Sequence, residues 1–237
     1  MRLFIGYDSR EPVAYHTLAA SLIARASQPL SITPVALRHL GGDYWRERGA
    51  TESTEFSLTR FLVPYLSNYE GYSIFMDGDM LACTDIYKIL YILRPGKAVW
   101  VCQHDYTPKT DTKMDGWIQT VYPRKNWSSL MVFDNTRCRQ LTPAYVSTAL
   151  ASDLQRFAWL KDQEIGSLPL EWNWLVGEYA PNPDAKVLHY TLGGPWFKDT
   201  RDCDHAANWL AEYRAMTGQD YWPAQVWECP PLETGTS

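Results

Sequence analysis

The chain has 237 residues, 46% of them hydrophobic and 21% charged, with a formal net charge of −5. That apolar content can build a sizeable core and excludes general disorder, and the acidic balance excludes a generally basic nucleic-acid binder. No apolar run approaches the roughly 18–20 residues of a membrane-spanning helix. The five cysteines (Cys83, Cys102, Cys138, Cys203 and Cys229) are odd in number and lack a C-x-x-C pair. They therefore form neither a disulfide framework nor a zinc ribbon, and a reducing cytoplasm is the expected compartment.

The elements alternate between strand-like and helix-like stretches, which argues for an α/β layer fold. Arg2 to Tyr7 reads as a strand, because the apolar stretch meets Asp8 too soon for a signal peptide. Asp8 or Ser9 can cap the helix that follows, with Pro12 in its first turn and Ala14, Leu18, Leu22 and Ile23 on its buried face. Ser31 to Leu37 is a second strand. Gly41-Gly42 and the charged stretch to Glu52 form a loop, and Thr54 to Leu66 reads as a helix interrupted near Pro64. Tyr72 to Met76 is an apolar strand ending at Asp77-Gly78-Asp79. Ile86 to Leu93 reads as a short helix, and Ala98 to Gln103 as a strand. Residues 104–126 are a long polar loop, and such a length inside a compact domain points to a functional segment or a variable surface loop. Ser128 to Phe133 is a strand, Thr142 to Leu154 a helix, and Asp162-Gln163-Glu164 opens a short helical segment. Lys186 to Tyr190 is a short strand, residues 203–216 a helix, and the end a loose tail. With no linker to divide it, the chain reads as one domain over 1–217 and a tail over 218–237.

Three local features carry chemistry. The first is the strand Tyr72–Met76, which delivers Asp77 and Asp79 to its carboxyl end, where open α/β sheets bind ligands. Two unpaired carboxylates about 4.5 Å apart repel by roughly 3–4 kcal/mol at an effective dielectric of 20. A divalent cation reverses that sign, and hard oxygen donors suit Mn²⁺ or Mg²⁺. Gly78 permits a close approach of backbone or ligand; a plain strand-to-helix turn would use the same residues. The second is His189, at the end of an apolar strand and followed by Gly193 and Gly194. It is an acceptable third ligand for Mn²⁺, and the glycines would let amides approach phosphate oxygens; a hydrogen-bonded histidine beside a turn is the bland alternative. The third is Asp162-Gln163-Glu164, which a solvated helix start would also explain.

Taken in order, these blocks resemble the glycogenin-like retaining glycosyltransferases of the GT-A nucleotide-diphospho-sugar transferase fold. Phe4 to Asp8 matches the strand leading into the nucleotide site. Phe56-Ser57-Leu58-Thr59-Arg60 matches the helix with a basic residue, and Asp77 with Asp79 the Asp-x-Asp motif. Trp127 to Phe133 matches the Asn-Ser-Gly strand, Asp162-Gln163 the Asp-Gln pair, and His189 to Trp196 the segment ending in Pro-Trp. The resemblance spans residues 1–200. It implies a Rossmann-like α/β fold with a mixed central sheet flanked by helices, and hexose transfer from a nucleotide-diphosphate sugar, expected to be UDP-linked. The acceptor would be a glycan, a lipid-linked glycan or a protein, with no nucleic-acid partner.

The resemblance also assigns roles. Asp77, Asp79 and His189 would hold Mn²⁺ or Mg²⁺. Tyr7 and Asp8 would meet base and ribose, Arg60 the donor's sugar or phosphate, and Gly78, Gly193 and Gly194 would line the donor site. Asp162 would bind sugar hydroxyls, and Gln163 would lie near the reacting carbon, so that Asp79, Asp162 and Gln163 form the catalytic group. Three departures stand out. Gly194 occupies the place of the family's diphosphate-binding lysine, leaving Lys198 or Arg201 to substitute or the leaving group to be held by metal and backbone alone; Trp127-Ser128-Ser129 replaces Asn-Ser-Gly; and Asp162-Gln163 is followed by Glu164 where the family has Asp. The loop's His104, Asp105, Lys109 and Asp111 are candidate lid or acceptor residues, and Trp117, Trp172, Trp174 and Trp196 are candidate stacking platforms or core. Residues 218–237 carry three acids and no lysine or arginine, so no membrane-docking tail is expected. Two other readings compete. A haloacid-dehalogenase-like phosphatase shares an Asp-x-Asp after a strand, but wants a different sequence after it. A nucleotide-sugar- or glycan-binding protein without turnover would account for the absent lysine.

Overall fold

The computed structural model describes residues 1–49, 52–105 and 124–221. It has mixed α/β architecture with two sheets. The larger sheet contains β1 (Arg2–Tyr7), β2 (Ile32–Ala36), β3 (Tyr72–Met76), β5 (Val99–Cys102), β6 (Leu130–Asp134) and β7 (Ile165–Leu168), in the order β2-β1-β3-β6-β5-β7. All run parallel except β6, which is antiparallel to both its neighbours. A smaller sheet, in the order β4-β9-β8, is built from β4 (Met80–Ala82), β8 (Trp174–Leu175) and β9 (Val187–His189).

Both faces of the large sheet are covered, which is why its strands are apolar throughout rather than alternating. The period of two still sorts the side chains. Phe4, Phe75, Met131 and Phe133 enter one core with Phe61, Leu62 and Phe157. Leu3, Ile5, Ile74, Met76, Leu130 and Val132 enter the other, with Leu18 and Leu22 of α1 (Pro12–Arg25) and with Trp100 and Trp172. A third cluster packs Tyr190, Trp196, Trp209 and Tyr213 under the small sheet, the last two from α5 (Ala206–Thr217).

Several elements differ from the sequence expectation. Residues 54–66 are not one helix. The Ser57 hydroxyl accepts from Thr54 N and donates to Thr54 O, drawing the backbone into a turn. Only α2 (Val63–Leu66) is α-helical there, with Pro64 in its first turn, after a 3₁₀ turn over Thr59–Leu62. Residues 142–154 divide into α3 (Pro143–Thr148) and α4 (Ala151–Gln155), where Arg46 Nη1 takes the Ala149 carbonyl at 2.6 Å. On α1, Ile23 is 65% exposed. The inward position belongs to Ser21, whose hydroxyl bonds Leu18 O and receives Ala82 N, fastening β4 to the helix. Asp162–Glu164 is a single 3₁₀ turn that opens strand β7, not a longer helix.

Candidate active site

β1 and β3 are parallel neighbours, so their carboxyl ends reach the same edge of the sheet. Asp8 follows the first strand, and Asp77-Gly78-Asp79 the second. The turn lies hard against β1, because a Cβ on Gly78 would stand 2.5 Å from the Gly6 carbonyl oxygen. Glycine is therefore required there by space. The chain then enters β4, whose antiparallel register sets Met80 opposite His189 of β9. Tyr190 N donates to Asp79 O at 3.0 Å and holds the junction.

That pairing brings the imidazole to the two acids. His189 Nε2 is 3.3 Å from Asp79 Oδ1 and 4.0 Å from Asp77 Oδ2. One ligand atom from each of Asp77, Asp79 and His189 lies within 4.8 Å of the others, and all three residues are buried. Two carboxylate oxygens and an imidazole nitrogen converging out of solvent are a suitable donor set for Mn²⁺ or Mg²⁺. Arg60 joins them. Its Nη1 is 2.9 Å from Asp77 Oδ1 and donates to Ser128 O, Nε donates to Phe56 O, and the guanidinium lies over the Phe56 and Phe75 rings. The guanidinium is thus paired with Asp77, while Asp79 faces His189.

These residues line a polar cavity of about 70 Å³, together with Ser53, Thr54, Ser57, Asn126, Ser128, Gln155 and Thr191. At about 30 Å³ per water, that volume is equivalent to about two waters. Gln155 is held by Ser57 O and the Ser128 hydroxyl. Behind the cavity, His189 Nδ1 meets Asn173 Oδ1 at 2.9 Å. Asn126, Gln155 and Asn173 had no sequence signal, because each stands in a turn or short helix with no motif of its own.

Two further titratable groups flank the cluster. Glu11 accepts from Trp196 Nε1 at 3.0 Å. Burial, followed by the charges of Asp79 and Asp8, holds its carboxyl well above the usual range. His104 bonds the Tyr179 hydroxyl at 2.9 Å. Burial, then the nearby His189, pushes it down to about 3, so it is neutral at physiological pH.

Tyr7 and Asp8 reach the same sheet edge as the acids, whereas Asp162, Gln163 and Lys198 stand elsewhere. Asp8 is buried with its carboxylate occupied by Arg10 N, Nε and Nη2 and by Glu55 N, so it shapes the loop over 53–57 and has little capacity left for a ribose. Tyr7 is half-buried at the carboxyl end of β1, edge-on to Tyr15, with the Arg38 guanidinium 5.9 Å above its ring. Gln163 and Asp162 do not join the acids. They precede β7, which runs parallel to β5, and the Gln163 carbonyl accepts from Lys97 just ahead of β5. Gln163 is thus at the amino-terminal edge of the parallel strands, opposite the edge that carries Asp77. Asp162 is 83% exposed and paired with Arg124 at 2.6 Å. The amide residues lining the cavity are Asn126 and Gln155.

Gly193 and Gly194 are buried. A Cβ on Gly194 would stand 2.0 Å from Trp196 Cζ3, so the tryptophan ring fills the place where a lysine side chain would begin. Lys198 is exposed and lines a separate cleft with Arg201, Leu210 and Tyr221. Trp172 and Trp196 are core residues, while Trp174 is half-buried against Tyr179. Lys109, Asp111 and Trp117 lie outside the described residues, as does most of the tail and of the candidate lid.

No protein-family model matches the chain. It is 47% identical over 220 residues to Protein CDI of Arabidopsis thaliana, covering 89% of this chain and 85% of that one. Among solved structures it is similar to the bifunctional glycosyltransferase WbbM, with a TM-score of 0.65 and 14% identity over 96% of this chain and 51% of that one. It is also similar to the glycosyltransferase GlyE of Streptococcus pneumoniae (TM-score 0.57, 12% identity, 90% and 60% coverage). The galactosyltransferase LgtC, solved in complex with donor and acceptor sugar analogues, matches with a TM-score of 0.57 and 10% identity, covering 92% of this chain and 96% of that one. The chain thus spans about half of WbbM and three fifths of GlyE. At these identities the likeness carries the fold, which is that of the GT-A glycosyltransferases.

Proposed function

The chain belongs to the family of Protein CDI from Arabidopsis thaliana, and from its fold and its buried acid–histidine cluster we propose that it is a metal-dependent glycosyltransferase. It would move a hexose from a nucleotide-diphosphate sugar, UDP-linked by the sequence resemblance, to a glycan, lipid-linked glycan or protein acceptor. The observation that carries this reading is the convergence of Asp77, Asp79 and His189 within 4.8 Å in a glycosyltransferase-type fold. Retention of anomeric configuration is carried over from the glycogenin-like resemblance alone.

A diphosphate leaving group brings two to three negative charges to a protein of net charge −5, so neutralisation must be local. A divalent cation, when bound, supplies Lewis-acid stabilisation of the charge that develops on the leaving phosphate. Asp77, Asp79 and His189 would hold it. Arg60 neutralises Asp77 and fixes its carboxylate, so the acids are poised before any ligand arrives. Asn126, Ser128, Gln155 and Thr191 offer polar contacts toward the sugar-phosphate. Tyr7 offers an aromatic edge to the base. Gln163 is not assigned the reacting carbon here, because it stands at the opposite sheet edge. Four free cysteines among the described residues fit a reducing compartment such as the cytoplasm, and no described helix is long and apolar enough to cross a membrane.

Release of nucleoside diphosphate from a panel of nucleotide sugars, with and without Mn²⁺, tests the reading. Metal-dependent release that D79N abolishes, with the fold intact by circular dichroism, is the expected result. Unimpaired turnover in D79N would remove the metal assignment. The replacement of the diphosphate lysine by Gly194 favours a second reading, a nucleotide-sugar-binding protein without turnover. Donor binding with Mn²⁺ but no release, even with an acceptor pool, would select it.

A further inference from the structure

Asn173 ends the 3₁₀ turn Leu170–Asn173, fully buried, with its side-chain amide between β9 and the start of β6. Four groups form a chain of hydrogen bonds there. His189 Nδ1 meets Asn173 Oδ1 at 2.9 Å. Asn173 Nδ2 donates to Ser129 Oγ at 2.8 Å, and Ser129 Oγ donates to the Asn126 carbonyl at 2.7 Å. The end of this chain fixes its polarity. A carbonyl only accepts, so the serine hydroxyl must give its proton to Asn126. The serine oxygen then accepts from the amide nitrogen of Asn173, whose carbonyl oxygen must face the imidazole. That oxygen needs a donor, so Nδ1 carries the proton.

We infer that Asn173 is the positioning residue of the metal centre, holding His189 as the Nδ1–H tautomer so that the Nε2 lone pair faces Asp77 and Asp79. The inference rests on the metal reading above only for what Nε2 binds. The backbone half of the same support is also on Ser129, whose carbonyl accepts from Asp77 N at 2.9 Å. One buried serine therefore anchors both an acid and, through Asn173, the imidazole. Histidine ligands commonly use their second ring nitrogen in this way, and loss of such a partner typically costs 10–100-fold in metal affinity.

Two measurements test it. In metal-free wild-type protein, ¹⁵N-resolved spectra of the His189 ring in its neutral form should show the proton on Nδ1; a proton on Nε2 overturns the inference. Mn²⁺ uptake, read from the free-ion electron paramagnetic resonance signal without donor, should weaken 10–100-fold in N173L. That variant keeps the branched heavy-atom skeleton, with somewhat larger methyl groups, and removes the acceptor. N173D retains an acceptor for Nδ1–H and should recover most of the affinity. Wild-type affinity in N173L, or equal loss in both variants, would show Asn173 acting through packing alone and overturn the assignment. If N173L fails to fold, the tautomer still decides. A wild-type chain with the Nδ1–H ring that takes up no Mn²⁺ would support the tautomer relay and sink the metal reading instead.

Discussion

Substituting Gly194 should damage the fold rather than restore a phosphate-binding side chain. A Cβ there would stand 2.0, 2.3 and 2.6 Å from Trp196 Cζ3, Cη2 and Cε3, whereas carbon atoms prefer about 3.5–4.0 Å. The ring cannot step aside easily. It is 3% exposed and packs on Tyr190, Phe197 and Trp209 at centroid distances of 5.7, 5.9 and 5.1 Å. Its Nε1 is tied to Glu11. Overpacking of this kind costs about 1–3 kcal/mol. Losing the buried Trp196–Glu11 bond adds about 1–3 kcal/mol. At roughly 2–4 °C per kcal/mol for a chain of this size, G194A should melt about 5–20 °C below wild type, and G194K at least as low. Thermal unfolding by circular dichroism checks this. G41A, where a Cβ meets nothing within 4 Å, is the control and should be neutral. A G194A melting point within about 2 °C of wild type would refute the claim that the ring excludes a side chain here.

Other expectations follow from the same geometry. R60L leaves Asp77 beside Asp79 without its cation and should destabilise the metal-free protein by about 3–5 kcal/mol. Mn²⁺ at 100 times its dissociation constant for the variant should stabilise R60L by about 2.7 kcal/mol, and an R60L stability that Mn²⁺ leaves unchanged would argue that no ion sits against these acids. H189A should raise the Mn²⁺ concentration needed for half-saturation, and a titration superimposable on wild type would make His189 structural. Glu11 is an acid whose folded-state pKa lies above its ordinary 4.5. Its favourable contribution is full below that value and is lost as pH rises through the folded pKa, where the native state must give up its proton. E11Q keeps an acceptor for Trp196 but cannot titrate, so its stability relative to wild type should improve as pH rises from 4.5. Parallel wild-type and E11Q pH profiles from chemical denaturation would show that Glu11 ionises freely.

The sequence alone determined what depends on local burial. The apolar runs of β1, β3, β5 and β6 announced strands, and the acids after Met76 announced a charged strand tip at a ligand-binding edge. The α/β layering followed from the alternation of those runs with helical stretches. Pairing between distant segments was decided by the tertiary structure. β4, β7 and β8, of three, four and two residues, are too short for a periodic signal, yet the register of β4 against β9 is what carries His189 to Asp79. The parallel pairing of β7 with β5 sends Gln163 to the opposite edge, a position no tripeptide motif could disclose. Asp8 and Gly194 make the same point at single residues, one absorbed by Arg10 and Glu55, the other kept small by a tryptophan ring. Periodicity reports whether a residue is buried, because burial is a property of its own neighbourhood. Which buried residues meet depends on strand register and loop closure between segments far apart in the chain, and these were fixed only when the two sheets came together.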